Sequence, residues 1–223
     1  SKLRPEGVLL KNIIKIGLPA GIQGMVFSVS NILIQAAINS LGPDAMAASA
    51  AAFTIEINVY CFLNAFAQAT TTFVSQNYGA GNMARCLMAT KRGLMLALGS
   101  TMGMAALVLL LSQQLLGFFN PDVNVIALGT GRLWYIVAPE FLQVFIDVFS
   151  GALRGYGYSL GPAILTLVGI CGVRIIWLYS VFAVYSTYDV LMACYSISWL
   201  VTGAMIVGLY LHYRGKILGA NAK

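Results

Sequence analysis

Six apolar stretches, each near or above the ~20 residues that a helix needs to cross a bilayer, dominate the chain. They lie at about 14–40, 46–76, 92–117, 126–153, 162–185 and 189–212. Only 9% of the 223 residues are charged, against about a quarter in a soluble domain. So few charges cannot cover a water-soluble surface, and the expected solvent is lipid. The breaks between stretches carry turn chemistry: LGPD at 41–44, YGAGN at 78–82, FNPDVN at 119–124, RGYGYSLGP at 154–162 and STYD at 186–189. Pro162 suits the first turn of the fifth helix. The expected fold is all-α: a polytopic membrane protein with a six-helix transmembrane bundle formed by residues 1–223.

The charges alternate with the breaks. Lys2, Arg4, Lys11 and Lys15 precede the first stretch, and Arg85, Lys91 and Arg92 separate the second from the third. Arg154 follows the fourth, while Arg214, Lys216 and Lys223 follow the sixth. The other three connections hold only Asp44, Asp122 and Asp189. This asymmetry predicts both termini on the cytoplasmic side. Trp134, Tyr135, Tyr185 and Tyr188 then fall at the outer interface, and Tyr156, Tyr158, Tyr210 and Tyr213 at the inner one. A net charge of +6 is thereby explained without nucleic acid as a partner. The opening SKLRPEGVLLKN has neither the apolar core nor the small-residue cleavage site of a signal peptide.

Five ionisable residues fall inside the spans: Glu56, Arg132, Glu140, Asp147 and Arg174. Each charge costs roughly 2.5–3.5 kcal/mol on insertion scales, so such residues face protein or water and mark candidate functional sites. Glu140, Gln143 and Asp147 share one face of the fourth helix. Pro139 beside them removes a donor and frees the carbonyl of Tyr135, which then needs another partner or lines a cavity. Counted from the cytoplasmic turn, Glu140 and Arg174 lie at matching depths, which predicts a buried ion pair and leaves Asp147 unpaired. An unpaired carboxylate in low dielectric favours its protonated form, as a proton-coupled site requires. Arg132, near the outer end, is expected to snorkel in a structural role.

The second helix carries Glu56, Tyr60, Asn64, Gln68, Thr72 and Gln76 at steps of four. The first carries Gln23, Asn31, Gln35 and Asn39, with Phe27 among them. Steps of four drift by about 40° per turn, so the second stripe winds around the helix and cannot face one small pocket throughout. A long cavity and interhelical hydrogen bonding both account for it. The small residues of AMAASAAA (45–52) and the pair Gly99 and Gly103 suit close helix packing.

Catalytic chemistry finds little support. His212 is the single histidine and sits at the inner end of the sixth helix. No His, Asp or Glu cluster has metal-ligand spacing. The cysteines, Cys61, Cys86, Cys171 and Cys194, have no metal-binding pattern and read as free thiols. YGAGN follows no strand and reads as a turn, not a phosphate cradle. No cofactor and no enzymatic activity are expected.

In order, IGLPAGIQ opens the first helix, FVSQNYGAGN (73–82) closes the second, GALRGYG (151–157) closes the fourth and VRIIWLY (173–179) lies in the fifth. Together they resemble the carboxy-terminal half of a multidrug and toxic compound extrusion (MATE) transporter, over nearly the whole chain. TIE (54–56) is similar to a Glu-bearing segment of one bacterial branch, where Asn often stands at position 54. The resemblance implies twelve helices in two six-helix lobes around a central cavity. This chain would be one lobe, partnered by an amino-terminal six-helix lobe in the inner membrane of a bacterium. It implies export of small organic, often cationic, compounds driven by inward H+ or Na+. Asp147, Gln143, Glu56, Glu140, Asn31 and Gln23 are the candidate substrate- or cation-binding residues. Some members carry a carboxylate in the first helix of this lobe. The span 16–41 has none, with Phe27 and Ser28 in that region, which argues against a Na+ site of that kind. A lipid-linked precursor flippase, a membrane-embedded transferase and a non-transporting assembly lobe are the competing readings.

Overall fold

The structure is a computed structural model that describes the backbone of residues 7–220 and the side chains at positions 7, 21 and 25–216. Every element within it is helical: α1 (Gly7–Ser40), α2 (Pro43–Gly79), α3 (Met83–Leu110), α4 (Ser112–Gly117), α5 (Val123–Ile136), α6 (Glu140–Gly155), α7 (Leu160–Thr166), α8 (Val173–Trp177) and α9 (Tyr188–Ala220). Two π-helical stretches, Leu167–Gly172 and Leu178–Phe182, flank α8 and join α7, α8 and their neighbours into one rod. Each apolar stretch of the sequence is thus a helical unit. Among the described residues four units are long and apolar enough to cross a membrane, and α5 with α6 forms a further one, bent by 42°. In α1 the apolar part with described side chains is Met25–Ser40.

The helix ends follow the turn residues. Gly42, Gly81 and Gly157 have φ of 102°, 72° and 89°, a left-handed backbone that only glycine adopts without cost. Pro43 opens α2, where its missing N–H is no loss. Asn82 caps α3 by accepting from the Arg85 N–H at 3.1 Å, and Asp122 caps α5 by accepting from Asn124 at 2.8 Å. The third helix begins at Met83, nine residues before the expected 92. Arg85, Lys91 and Arg92 stand exposed on its first turns, so the charge run belongs to a solvated helix end and not to a loop.

The expected kink is present. Between α5 and α6 the chain breaks at Val137, Ala138 and Pro139. The carbonyl of Tyr135, freed by Pro139, accepts a hydrogen bond from Ser196 Oγ of α9 at 2.7 Å. A cross-helix hydroxyl thus replaces the donor that proline lacks.

Packing is densest where side chains are small. Ala45, Ala48, Ser49, Ala51 and Ala52 are all buried, and the second half of this run meets Val59, Val108, Leu116 and Leu133 in a core shared by α2, α3, α4 and α5. A second core joins α1, α5, α6, the π-flanked rod and α9 through Ile38, Ile136, Ile146, Ile170, Leu191 and Ile206. Gly99 and Gly103 depart from expectation. Both are exposed, and a Cβ on either would meet nothing within 4 Å, so they lie on the outer face of α3. Tyr188 also departs. It is buried, with its hydroxyl 2.7 Å from Ser49 Oγ, and it ties α9 to α2 instead of resting at an interface. Outward-facing positions are apolar, among them Met95, Met102, Ile176 and Leu200. That is the surface expected of a chain whose solvent is hydrocarbon.

Candidate functional site

A cavity of about 1050 Å³ runs along one face of the bundle. The polar stripes of α1 and α2 supply one wall. Glu56, Tyr60, Asn64 and Gln68 line it, while Thr72 and Gln76 do not, as the drift of a four-residue step requires. From α1, Phe27, Asn31 and Gln35 reach it, and Gln35 also donates to Asn39 at 2.9 Å. Gln23 has its side chain outside the described residues. The opposite wall is the polar face of α6, with Glu140, Gln143 and Asp147 all on the cavity.

The charges inside the cavity are paired differently from the sequence-based expectation. Glu140 and Arg174 both line it but form no ion pair. Among the described residues the ion pair is Arg132 with Glu56. Arg132 Nε donates to Glu56 Oε1 at 2.7 Å and its Nη2 to Oε2 at 2.9 Å, a two-pronged, charge-assisted contact. Arg132 therefore does not snorkel; it is buried. Arg174 turns toward α1 and α9. It donates to Asn31 Oδ1 and Ser198 Oγ, both at 3.4 Å, and its guanidinium lies 4.2 Å from the Tyr195 ring centroid. The other face of the network is closed by Arg132, 5.8 Å from the same ring. Counting residues along a helix fixes height but not direction. The π-helical stretch before Arg174 and the bend before Glu140 both reset direction, and so the matched depths do not become a pair.

Glu140 is buried, and its Oε2 has no hydrogen-bond partner among the described residues; the same holds for Gln143 Oε1. Gln143 Nε2 reaches Asp147 Oδ2 at a long 3.5 Å. Arg154 shares the cavity with Asp147 without forming an ion pair within 4 Å. Glu140 and Asp147 thus line a space large enough for a small organic molecule. Their surroundings provide amide and phenol groups but no close counter-charge. Glu56, by contrast, has its two oxygens occupied by Arg132.

Tyr195 joins both arginines and went unrecognised in the sequence. It sits in ACYSISW of α9, where one tyrosine among small residues gives no periodic signal. Its only mark is a position far from either predicted aromatic belt.

The MatE family model matches residues 19–180. The chain is 29% identical over 171 residues to the multidrug resistance protein PmpM of Pseudomonas aeruginosa, a match that covers 76% of this chain and 35% of that protein. It is 26% identical over 171 residues to the probable multidrug resistance protein NorM of Thermotoga maritima, covering 77% and 37%. The chain thus spans about a third of the length of these relatives. Its fold superposes on an outward-facing multidrug resistance MATE family transporter of the MOP superfamily with a TM-score of 0.77 at 22% identity, covering 87% of this chain and 43% of the other. On a MATE structure in complex with MaL6 the TM-score is 0.80 at 18% identity, covering 98% and 49%. With the family model laid over well more than half of its residues and one lobe's worth of the fold reproduced, the chain belongs to the MatE family, whose members are transporters and not enzymes.

Proposed function

We propose that this chain is the carboxy-terminal lobe of an efflux antiporter that exports small organic, often cationic, compounds in exchange for inward H+ or Na+. The amino-terminal six-helix lobe of the same protein closes the cavity from its open side. Both ends of the lobe face the cytoplasm of a bacterial cell, as the Lys and Arg distribution supports. The observation that carries the reading is the pair of cavity carboxylates, Glu140 and Asp147, neither held by an arginine or lysine within 4 Å among the described residues. A cation entering the cavity supplies the missing charge. A carboxylate that alternately binds a proton or a substrate cation links the two fluxes through one group. Gln143 orients Asp147 through its amide, Asn31 contributes from α1, and Gln23 is assigned to the same set from its place in the sequence alone. Glu56 acts at one remove, by holding Arg132 away from the free carboxylates. A precursor flippase calls for a predominantly basic cavity. Here Arg132, Arg154 and Arg174 are matched by Glu56, Glu140 and Asp147, which favours the export reading.

The test is drug efflux from cells that express the complete protein. Asp147→Asn should abolish efflux with membrane insertion unchanged, and Asp147→Glu should keep part of it. Transport by Asp147→Asn at the parent rate, with the parent's pH dependence, would refute the role of Asp147.

A further inference from the structure

A second cavity, of about 430 Å³, lies between α2 and α3. Its α2 residues, Phe66, Ala69, Phe73 and Asn77, point about 175° away from the Tyr60, Asn64 and Gln68 stripe at 100° per residue. It therefore opens on the outer side of the bundle, away from the central cavity. Its shape follows from residue size. Ala69, Thr70, Ala89 and Gly93 form a floor, and a Cβ on Gly93 would run into Thr70, so the two helices touch there. Phe73, Met88 and Leu96 rise beside the floor and are 58%, 47% and 60% exposed. Such exposure is ordinary against hydrocarbon, but a groove between the rising side chains is a seat for one chain of it. Arg85 stands at one end and Arg92 two turns further along the same face of α3, about 10 Å away and beside Gly93; both are exposed and without a carboxylate within 4 Å among the described residues. From Arg85 to Leu96 the groove runs about 16 Å along α3.

An apolar trough flanked by two uncompensated guanidinium groups on its basic half has the charge and polarity of a phospholipid turned inside out. Basic pockets between membrane helices recognise anionic headgroups in this way, and arginine binds phosphate through paired N–H donors. We propose that the α2–α3 groove binds an anionic phospholipid of the adjacent leaflet, with the phosphate between Arg85 and Arg92, whose side chains lean toward the start of α3, and an acyl chain running inward over Ala69 and Gly93 toward Leu96.

The test is titration of fluorescently labelled phosphatidylglycerol into the purified complete protein in detergent. Each basic side chain at a membrane surface contributes about fivefold to binding, so R85Q/R92Q should weaken binding by about 30-fold. Ala69→Leu, at an exposed position of the floor, should also block binding with both arginines in place. Unlabelled phosphatidylglycerol should compete, and neither phosphatidylcholine nor soluble glycerol 3-phosphate should. R214Q/K216Q, which removes charge at the end of α9, should bind as the parent does. The proposal falls if R85Q/R92Q binds within twofold of the parent or if R214Q/K216Q weakens binding equally, since diffuse attraction would then explain both. Competition by glycerol 3-phosphate as strong as by the lipid would also overturn it, by showing a phosphate site with no use for the groove.

Discussion

Changing Glu56 to glutamine takes away the carboxylate that holds Arg132 and leaves a buried guanidinium without its counter-charge. The side chains of Arg132 and Glu56 are only 4% and 10% exposed, so little water is at hand to compensate. Two charge-assisted hydrogen bonds, at 2.7 and 2.9 Å, contribute about 1.5–3 kcal/mol each. The ring of Tyr195, 5.8 Å away, returns about 0.5–1 kcal/mol and cannot replace them. Glu56→Gln or Arg132→Met alone should therefore cost about 3–5 kcal/mol, the usual result of stranding one member of a buried pair. The double variant strands nothing and should lose less than either single one. The measurement is unfolding of the complete protein in a dodecyl sulfate titration, for the parent, both single variants and the double. If the double variant loses the sum of the two single losses, the pair carries no interaction energy and the charge assignment of the cavity is wrong.

Other outcomes follow from the same geometry. In the same titration Glu140→Gln and Arg174→Gln should act additively, because these residues share a cavity but no contact; a compensating double variant would restore the pair that depth counting suggests. Gly155→Ala should cost about 1–3 kcal/mol, because its Cβ would stand 2.8 Å from Val74 Cβ and 3.0 Å from the Thr71 carbonyl. Gly99→Ala, with nothing within 4 Å, should cost nothing, and a loss there equal to that of Gly155→Ala would put α3 in the wrong orientation. Single cysteines at Asn82 and Asn120, in a background without the native four, should label from opposite sides of the membrane, and labelling from one side contradicts the proposed topology.

Most of the fold could be read from the chain because its solvent leaves few choices. In hydrocarbon every backbone group must be bonded, and an α-helix does so within its own segment, so apolar length and turn residues alone mark out the helical units. Pro139 could be interpreted down to the carbonyl it frees, because that is local chemistry. Its partner, Ser196, could not, because it lies 61 residues away on α9. The site was legible as a set of residues and illegible as a set of contacts. Glu56, Glu140, Gln143, Asp147, Arg132 and Arg174 all reach the cavity, as polar residues that must avoid lipid do. Which arginine meets which carboxylate depends on azimuth, and the sequence pattern was read at a constant 100° per residue. Between Thr166 and Ala183 that constant fails twice.

The two π-helical stretches on either side of Arg174 have a consequence for how this segment tolerates changes in length. A π turn is an α-helix that has absorbed a surplus residue. In a regular helix the removal of one residue rotates everything beyond it by about 100° and exchanges buried faces for exposed ones. Within Leu167–Gly172 the surplus is already stored as slack. Excision of an outward residue such as Val168, which is 54% exposed, would tighten the wider turn to the ordinary pitch and leave Arg174 directed at Tyr195. Leu178–Phe182 offers the same allowance on the far side. Among the described helices, the segment that carries Arg174 is therefore one that can lose a residue without changing which side chains face inward.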